Sequence, residues 1–527
     1  MKIKSVLIVG GGSSGWMTAA AFVKQHPELN VTVVESKKVG IIGVGESTLG
    51  HFNGYLHFLG LKDKDFMKFC NATYKNSIKF TDFREKGSVF HYPFGNFDLT
   101  DKQEGLMAWA ELKSYWPDLF PPESFARIYN SNTYLAESNK QTYDKNNNFR
   151  GFNFNKDTAY HFDTYKFGEY LRDVYCKDKI NHVYDDVIDA ELNEDGSLKN
   201  IICENKGEMK ADLFIDCTGF KSLLLEEKMK SKYISFNNVL LNDSAMAAHV
   251  EYNDKEKEME NTTDCTAIEN GWCWNIPLWH RIGAGYVYSS KFVSKEQAEI
   301  EFKNYLKRKG KDTSNLKINH IKIRHGKREK AWIKNVVGIG LSYGFIEPLE
   351  STGLLTTHEN ILRMMDILNI TNCNVKSIDI AGFNYSVNHS LEILKNFVAQ
   401  HYALSSRTDT EYWKHVTDNV NYDLDEDNPY TINGITCTKS MEHIHTSQWL
   451  INYWDTSLNG AAYILAGMGY SPATKRYIKR HRDVRNKNDF DLMVIKEKVE
   501  QYDRFLKEKV KTLPSHYQFL KENIYDE

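Results

Sequence analysis

Residues 5–20 read SVLIVGGGSSGWMTAA, and this stretch predicts a short strand, a glycine turn and a helix. Gly10 permits the tight turn, Gly12 lets the backbone approach a pyrophosphate, and Gly15 lets the helix pack closely on the strand. The phosphates would lie against the N-terminus of the helix, along residues 11–14. The stretch therefore predicts a dinucleotide-binding fold, with a glycine turn that binds no ligand as the alternative.

A second apolar stretch at residues 31–34 predicts the neighbouring strand of the same sheet. It ends in Glu35, twenty residues after Gly15, where an acid can hold a ribose hydroxyl of the dinucleotide. Another glycine-rich turn, GVGES at residues 43–47, carries polar side chains and could cover the same cofactor. The apolar stretch at residues 213–216 predicts the return of the chain to this sheet.

The composition is that of a globular enzyme. The chain has 527 residues, which suggests about two to four structural units. Hydrophobic residues make up 41% and aromatic residues 13% of it, enough to line a site for a flat organic molecule. The net charge is -3, with acids and bases mixed along the chain, which argues against a nucleic-acid partner.

The spacing of the cysteines and the length of the apolar runs indicate whether the chain binds a metal, forms disulfides or enters a membrane. Eight cysteines are scattered without a paired two-residue spacing, so we expect neither a metal site nor a disulfide framework. No apolar stretch reaches the roughly 18 residues that a membrane helix requires, and the first apolar run breaks into glycines, unlike a signal peptide. We therefore expect a soluble, reducing, cytoplasmic protein with no membrane partner.

Two stretches before residue 100 contain candidate functional side chains. Apolar residues recur at helical spacing between residues 66 and 80, which predicts a helix with Lys75 and Lys79 one turn apart on one face. Spacing alone would make either lysine an ordinary surface residue. The aromatic cluster FHYPF at residues 90–94 predicts a loop with a binding wall. Residues 98–156 form a long irregular segment of the kind that often covers a substrate.

A tryptophan pair stands out in the second half of the chain. Residues 271–277 predict a strand that places Trp272 and Trp274 on one face. The two indoles could pack in the core or bar access to a cavity, and the pattern alone favours the core.

A helix start follows near residue 350. Ser351 or Thr352 would cap a helix whose periodicity runs from residue 354 to residue 368. Amides at a helix start attract anions, so a halide or a flavin carbonyl could bind at Thr352 and Gly353. Spacing alone would make Glu350 an ordinary first-turn acid.

Five motifs in order across about the first 410 residues carry a family resemblance. They are the Gly-x-Gly-x-x-Gly fingerprint at residues 10–15, Gly43-Val44-Gly45-Glu46, Asn71-Ala72-Thr73-Tyr74-Lys75, Trp272-x-Trp274-x-Ile276-Pro277, and Glu347-Pro348-Leu349-Glu350-Ser351-Thr352-Gly353. With them the chain resembles the flavin-dependent halogenases of the tryptophan halogenase type. The paired-tryptophan motif is the specific one, because it separates these halogenases from related aromatic monooxygenases.

The resemblance implies an α/β fold. It would have an FAD-binding, Rossmann-like core of the aromatic-hydroxylase type, a substrate-binding β-sheet region and a mainly helical C-terminal region. The FAD-binding module would span residues 1–360, with its own segments at about 1–50, 160–225 and 330–360 and substrate-binding insertions at about 51–159 and 226–329. Residues 361–527 would complete the substrate pocket.

The resemblance also implies a two-site mechanism. Reduced FAD (FADH2), supplied by a separate NADH-dependent flavin reductase, and O2 would oxidise a halide held at Thr352 and Gly353 to hypohalous acid. Lys75 would receive the oxidant as a haloamine or by hydrogen bonding, and Glu350 would orient it or take the ring proton. Ser351 would assist by polarisation.

The same resemblance implies further roles by position. Trp272 and Trp274 would be a barrier between flavin and substrate, and His91, Phe94 and Trp454 would contact the substrate. The implied cofactor-binding residues are Gly10, Gly11, Gly12, Ser13, Ser14, Gly15, Glu35, Gly45, Glu46, Ser47, Val187, Leu349 and Leu354.

The substrate, the halide and two rival functions stay open. After about Thr410 the chain departs from the family pattern that clamps the amino acid, so an electron-rich indole or phenol is expected rather than free tryptophan. The halide could be chloride, bromide or iodide, of which the last two are easier to oxidise. A flavin aromatic monooxygenase is the nearer rival, although no second glycine fingerprint for NADH is present, and a non-catalytic flavoprotein is the farther. Homo-oligomerisation is left open.

Overall fold

The computed structural model describes residues 1–38, 46–96, 109, 112–420, 460–469 and 489–526. The chain divides into two compact units, each assembled from three segments. Unit 1 comprises Met1–Ala72, His161–Leu240 and Lys322–Lys395, and unit 2 comprises Thr73–Tyr160, Leu241–Ile321 and Asn396–Glu527. Within the described ranges, every helix is too short or too polar to cross a membrane.

Unit 1 is built on a six-stranded sheet, here called the parallel sheet. The strand Ser5–Val9 lies near its centre and pairs in parallel with Leu213–Asp216 on one side and Asn30–Glu35 on the other. The apolar side chains of these strands are buried, which is why a run without alternation forms a central strand. The sheet order is Trp332–Ile333, Val336–Gly338, Leu213–Asp216, Ser5–Val9, Asn30–Glu35 and Asn181–Tyr184. The predicted nucleotide-binding strands are confirmed.

Two smaller sheets and several helices complete unit 1. One sheet has the order Gly207–Met209, Leu198–Cys203, Val187–Leu192, and the other Tyr233–Ser235, Gly326–Arg328, Gly344–Phe345. The α-helices are Ser13–Gln25, Phe52–Leu59, Asp63–Phe66, Thr164–Tyr170, Thr352–Ile370 and the first part of Ser377–Ala403. Short 3-10 turns occupy Gly219–Lys221, Gly340–Ser342 and Pro348–Glu350, and π-helical turns Leu171–Tyr175 and Leu223–Lys228.

Unit 2 is built on a seven-stranded sheet. Its order is Ile318–Lys322, Ser244–Val250, Ile282–Tyr288, Gly271–Pro277, Thr262–Ile268, Ser77–Thr81 and Val89–Pro93. The short strand Thr73–Lys75 precedes the sheet strand Ser77–Thr81 in the chain. The helix Lys295–Arg308 covers one face with an apolar cluster that includes Tyr286, Phe302 and Tyr305. The predicted strand at the tryptophan pair is confirmed.

The other helices of unit 2 are mostly short. They are Ser124–Tyr129, Asn132–Glu137, Phe154–Asp157, Lys255–Glu258, Glu411–Lys414, Gly460–Gly467, Asp489–Lys511 and His516–Leu520, with π-helical turns at His415–Asn419 and Lys521–Tyr525.

Two predictions of secondary structure are wrong. The helix expected between residues 66 and 80 is instead the pair of strands Thr73–Lys75 and Ser77–Thr81, and the aromatic loop at residues 90–94 lies largely in the strand Val89–Pro93. Both strands Ser77–Thr81 and Val89–Pro93 belong to the sheet through Thr262–Ile268, which pairs in parallel with the first of them. The partner strand Thr262–Ile268 lies about 180 residues after Ser77–Thr81 in the chain, so a local periodicity contains no information on this pairing.

Candidate functional site

The glycine turn of unit 1 has room for backbone only. Gly10 has φ +113 and donates its N–H to the Val34 carbonyl at 2.9 Å. A Cβ on Gly10 would lie 2.3 Å from the Cys217 carbonyl oxygen, and one on Gly15 would lie 1.9 Å from the Gly10 oxygen. Side chains at these two positions would therefore separate the strand from the helix.

The space in front of the turn fits a pyrophosphate. A Cβ on Gly12 would meet nothing within 4 Å, and the helix Ser13–Gln25 begins directly after it. The amides at the start of this helix have no intrahelical acceptors, so they suit an anion. Ser13 donates its hydroxyl to the Thr164 carbonyl at 3.2 Å, which secures the helix start. This cradle fits the dinucleotide that the sequence predicts.

Glu35 lies beside the turn, at the end of its strand. A Cβ on Gly11 would lie 2.1 Å from the Glu35 Cδ, so the carboxyl group lies directly over the Gly11 backbone. Glu35 Oε2 is also 3.0 Å from His182 Nε2. The side chain predicted to hold a ribose hydroxyl is thus placed at the glycine fingerprint.

The other predicted cofactor residues of unit 1 are dispersed around these elements. Ser47 is buried and pairs with His161, and Glu46 pairs with Phe162 in the same short ladder. Val187 is half-buried two residues after Asp185, whose N–H donates to the Glu35 carbonyl at 3.1 Å. Leu349 and Leu354 are buried on either side of the next helix start, and Gly45 lies outside the described residues.

The helix Thr352–Ile370 begins in an unusual way. Ser351 has φ 56 and ψ 32, and its side chain makes no capping bond to the helix amides. Its hydroxyl instead donates to the Ser47 hydroxyl at 3.0 Å, so Ser351 occupies the predicted N-cap position without a capping bond from its side chain. The left-handed backbone turns the side chain away from the amides. Thr352 is buried, whereas a Cβ on Gly353 would meet nothing within 4 Å, so the helix start has open space for an anion.

Glu350 is a fully buried acid one residue before that start. It ends the 3-10 turn Pro348–Glu350 and has 0% exposure. Burial of a carboxyl group is costly and is found far more often at functional sites than on ordinary helix turns. Glu350 is therefore a first-turn acid that is shielded from solvent, and its role in the reaction stays a prediction.

Lys75 is a fully buried lysine of unit 2. Its exposure is 0%, and its Nζ lies 5.0 Å from the centroid of the Phe94 ring. Lys79 is different, because its Nζ is 2.7 Å from Glu260 Oε2 and 3.6 Å from Asp264 Oδ2. Burial lowers the pKa of Lys79, but the two carboxylates outweigh this and raise it above its ordinary value. Lys79 thus has a structural ion pair, and Lys75 is an amine beside an aromatic ring.

The aromatic side chains near Lys75 include a ring contact, between Tyr92 and Phe94, that the sequence did not predict. Tyr92 and Phe94 have ring centroids 5.6 Å apart at 88°. His91 points to the opposite face of the strand, where its Nδ1 is 3.1 Å from the Ser77 hydroxyl. Burial, with Lys79 nearby, lowers the pKa of His91 to about 3, so the ring is neutral. Tyr92 thus forms an edge-to-face pair with Phe94, substrate contact by His91 and Phe94 stays a prediction, and Trp454 lies outside the described residues.

The tryptophan pair lies on one face of the strand Gly271–Pro277. The ring centroids of Trp272 and Trp274 are 6.1 Å apart, and both side chains are buried. A Cβ on Gly285 would lie 2.0 Å from the Trp274 Cζ2, so the indole rests directly on the neighbouring strand. Neither indole N–H has an acceptor among the described residues, which costs about 1–3 kcal/mol per group and is unusual for a purely structural tryptophan.

The comparisons with known proteins agree with these observations. The family model described as tryptophan halogenase matches residues 5–481. The chain belongs to the tryptophan halogenase family. This halogenase is therefore an oxidoreductase of the flavin-dependent type, with the α/β fold that the resemblance implied.

Three relatives illustrate the similarity. The 7-chloro-L-tryptophan 6-halogenase KtzR of Kutzneria sp. (strain 744) is 34% identical over 429 residues, 78% of this chain and 81% of the relative. The apo structure of VirX1 is 47% identical with a TM-score of 0.92 over 100% of both chains. The crystal structure of the tryptophan 6-halogenase SttH from Streptomyces toxytricini is 28% identical with a TM-score of 0.81, covering 98% of this chain and 99% of that one.

Sequence reasoning missed the side-chain amides that hold the backbone of Asn76, the residue after Lys75, and of Phe94 in this halogenase. Asn132 Nδ2 donates to the carbonyls of Asn76 at 2.9 Å and of Phe94 at 3.0 Å. The Asn76 carbonyl also accepts the Phe94 N–H at 2.9 Å, and the Asn76 side chain exchanges two 3.1 Å hydrogen bonds with Gln141. All three amides are fully buried. Their sequence context is that of ordinary turn residues, so no local signal marks them.

Proposed function

We propose that this halogenase transfers halogen from hypohalous acid to a small electron-rich aromatic molecule of the indole or phenol type. The observation that carries the proposal is Lys75, a fully buried primary amine against the Phe94 ring. A free hypohalous acid attacks many groups, so selective halogenation needs one positioned amine beside the bound ring. Lys75 is such an amine.

The cofactor is FAD in its reduced form, FADH2. The pyrophosphate would bind at Gly12 and the start of the helix Ser13–Gln25, and the adenosine ribose at Glu35. Reduced FAD would activate O2 as the oxidant: the flavin and the halide would each give two electrons, so that one oxygen atom ends in hypohalous acid and the other in water. The halide would bind at the amides of Thr352 and Gly353, where the space is open and the helix dipole favours an anion.

Lys75 and Glu350 have separate tasks in the transfer. The Lys75 side chain would hold the hypohalous acid by a hydrogen bond from its ammonium group. As a free amine it would instead form an N–halogen bond with release of water. The aromatic ring then forms its carbon–halogen bond as the oxygen–halogen or nitrogen–halogen bond breaks, and Glu350 takes the ring proton, for which a buried carboxylate is suited. Released hydroxide would leave as water with a proton from the Lys75 ammonium group, whereas a released Lys75 nitrogen would regain a proton and become the amine again. Ser351 would polarise the neighbouring groups.

Two pairs of aromatic side chains would account for the selectivity of the reaction. The paired indoles of Trp272 and Trp274 would separate flavin from substrate, so that the ring is halogenated and not hydroxylated. Tyr92 and Phe94 supply an edge-to-face aromatic corner against which a flat substrate would pack.

The partners are a separate NADH-dependent flavin reductase and a small aromatic substrate. The names of KtzR and SttH give 7-chloro-L-tryptophan and tryptophan as their substrates. Free tryptophan is not proposed for this chain, because the sequence after about Thr410 departs from the pattern that clamps the amino acid. Chloride, bromide and iodide are all candidate halides, with bromide and iodide the easier to oxidise.

The test is a coupled assay with a flavin reductase, FAD, NADH, O2 and bromide over a panel of indoles and phenols. Brominated product, detected by mass, is the expected result. A hydroxylated product without bromide dependence would instead identify an aromatic monooxygenase. FAD binding without turnover of any panel member would favour a non-catalytic flavoprotein.

A further inference from the structure

A histidine of unit 1 contacts the acid at the glycine fingerprint. His182 lies on the strand Asn181–Tyr184, which pairs in parallel with the strand that ends in Glu35. Its Nε2 is 3.0 Å from Glu35 Oε2. An ionised carboxylate only accepts hydrogen bonds, so His182 Nε2 donates and its tautomer is fixed.

The fingerprint helix holds the imidazole in place. Trp16, the residue after Gly15, packs edge-on against the His182 ring with centroids 4.9 Å apart at 89°. The centroid of the Tyr184 ring lies 4.3 Å from that of the His182 ring. The imidazole therefore has one orientation, and its N–H points at the carboxylate.

The carboxylate in turn has one oxygen left for a ligand. Glu35 Oε2 is engaged by His182, and the carboxyl carbon lies over the Gly11 backbone. Glu35 Oε1 has no hydrogen-bond partner among the described residues, and its side chain is 13% exposed. A ribose hydroxyl approaching the fingerprint would meet this oxygen.

We propose that His182 is a positioning residue that fixes Glu35 in the rotamer that binds the adenosine ribose of FAD. The inference rests on the FAD-binding part of the proposed function. A glutamate without this contact has three free side-chain torsions and must lose them on binding, whereas the His182 contact has ordered them beforehand. His182 itself touches no part of the cofactor in this proposal.

The first test is the dissociation constant for FAD, measured by titration with the purified full-length chain. His182→Leu removes the N–H donor and should weaken FAD binding about tenfold. His182→Gln keeps an N–H donor near the place of Nε2 and should stay within about threefold of the wild type.

FMN is the matched control ligand, because it has the flavin ring and one phosphate but no adenosine ribose. His182→Leu should leave the affinity for FMN unchanged, which also shows that the variant is folded. Equal weakening for FMN and FAD would mean that His182 only supports the fold, and the proposal would be overturned. Unchanged FAD affinity in His182→Leu would overturn it as well.

A double-mutant cycle tests whether His182 acts through Glu35. In a Glu35→Ala background His182→Leu should change FAD affinity by less than about twofold, because the carboxylate that it positions is gone. A full tenfold loss in that background would refute the proposal. FAD binding is measured separately from bromination, so the two proposals can fail separately. If the wild type binds FAD but does not brominate, the proposed chemistry is refuted and the role of His182 can still be tested. If the wild type does not bind FAD, both proposals are refuted.

Discussion

Lys75 is held at a place where a charged amine is expensive. Its side chain is fully buried, and removing an ammonium group from water costs several kcal/mol even after relaxation. The contact with the Phe94 ring returns about 2 kcal/mol. Buried lysines of this kind are typical of positions where the amine has a chemical task.

Replacement of Lys75 should separate chemistry from cofactor binding. In Lys75→Ala we expect bromination to fall at least about 100-fold, because the positioned donor is lost, with FAD affinity within twofold of the wild type. Lys79→Ala is the contrasting variant, since Lys79 pairs with Glu260 and Asp264 and should affect stability more than the transfer step. Normal product formation by Lys75→Ala would remove this lysine from the mechanism.

His91 and Tyr92 are neighbours in the chain but lie on opposite faces of their strand. Tyr92 contacts the Phe94 ring, and His91 bonds to Ser77. We expect Tyr92→Ala to raise the KM for aromatic substrates about tenfold through loss of ring contact, with Tyr92→Phe close to the wild type. His91→Gln should leave KM unchanged and lower the denaturation midpoint. A raised KM in His91→Gln together with an unchanged KM in Tyr92→Ala would instead identify His91 as the residue that contacts the substrate.

At the scale of elements, the proposed tryptophan barrier depends on a glycine in the adjacent strand. Trp274 pairs with Gly285, and its indole occupies the space where any side chain at residue 285 would begin. The barrier is therefore a property of two strands, because a second side chain at the contact would displace the ring.

Gly285→Ala should shift the Trp274 indole and destabilise unit 2 by about 1–3 kcal/mol, the usual size of overpacking. The readouts are the free energy of unfolding and the ratio of hydroxylated to brominated product, which should rise if the barrier opens. Gly54→Ala is the matched control, since its Cβ would meet nothing within 4 Å in the helix Phe52–Leu59. That variant should be neutral or slightly stabilising. Equal behaviour of the two variants would contradict the close contact.

At the scale of the whole molecule, buried histidines connect stability to pH. Burial lowers the pKa of His91 and of His358 to about 3, and that of His516 to about 4. His516 accepts the Tyr74 N–H at 3.2 Å through Nε2 and so donates from Nδ1 to the Met259 carbonyl at 3.0 Å, which requires the neutral ring. The two His516 contacts exist only while its ring remains unprotonated.

The sign of the pH effect follows from where the protons bind. Between about pH 6.5 and pH 4 the unfolded chain binds protons at these histidines and the folded chain does not, so stability falls as pH falls. Each histidine contributes about 1.4 kcal/mol per pH unit in that window and nothing above it. Denaturant titrations at pH 7.0 and pH 5.5 should show the loss. In His516→Gln, whose amide can make both hydrogen bonds, the slope should be about 1.4 kcal/mol per pH unit smaller; an unchanged slope would exclude His516 as a contributor.

The sequence by itself determined the parallel sheet and the family. Gly10 and Gly15 occupy positions where a Cβ would meet backbone atoms, so the presence of glycine there indicates the tight turn directly. The apolar strands next to them are buried on both faces and need no distant partner to be recognised. Motif order then sufficed for the family.

Only the tertiary structure decided which side chains share a face in unit 2. The strand Ser77–Thr81 pairs with Thr262–Ile268, which brings Lys79 to Asp264. On its other side it pairs with Val89–Pro93, the strand in which Tyr92 contacts the Phe94 ring. A local pattern contains no information on a partner so far along the chain, and in a strand a shift by one residue exchanges the two faces. The motifs thus predicted the chemistry of the site, whereas its geometry depended on the long-range pairing of strands.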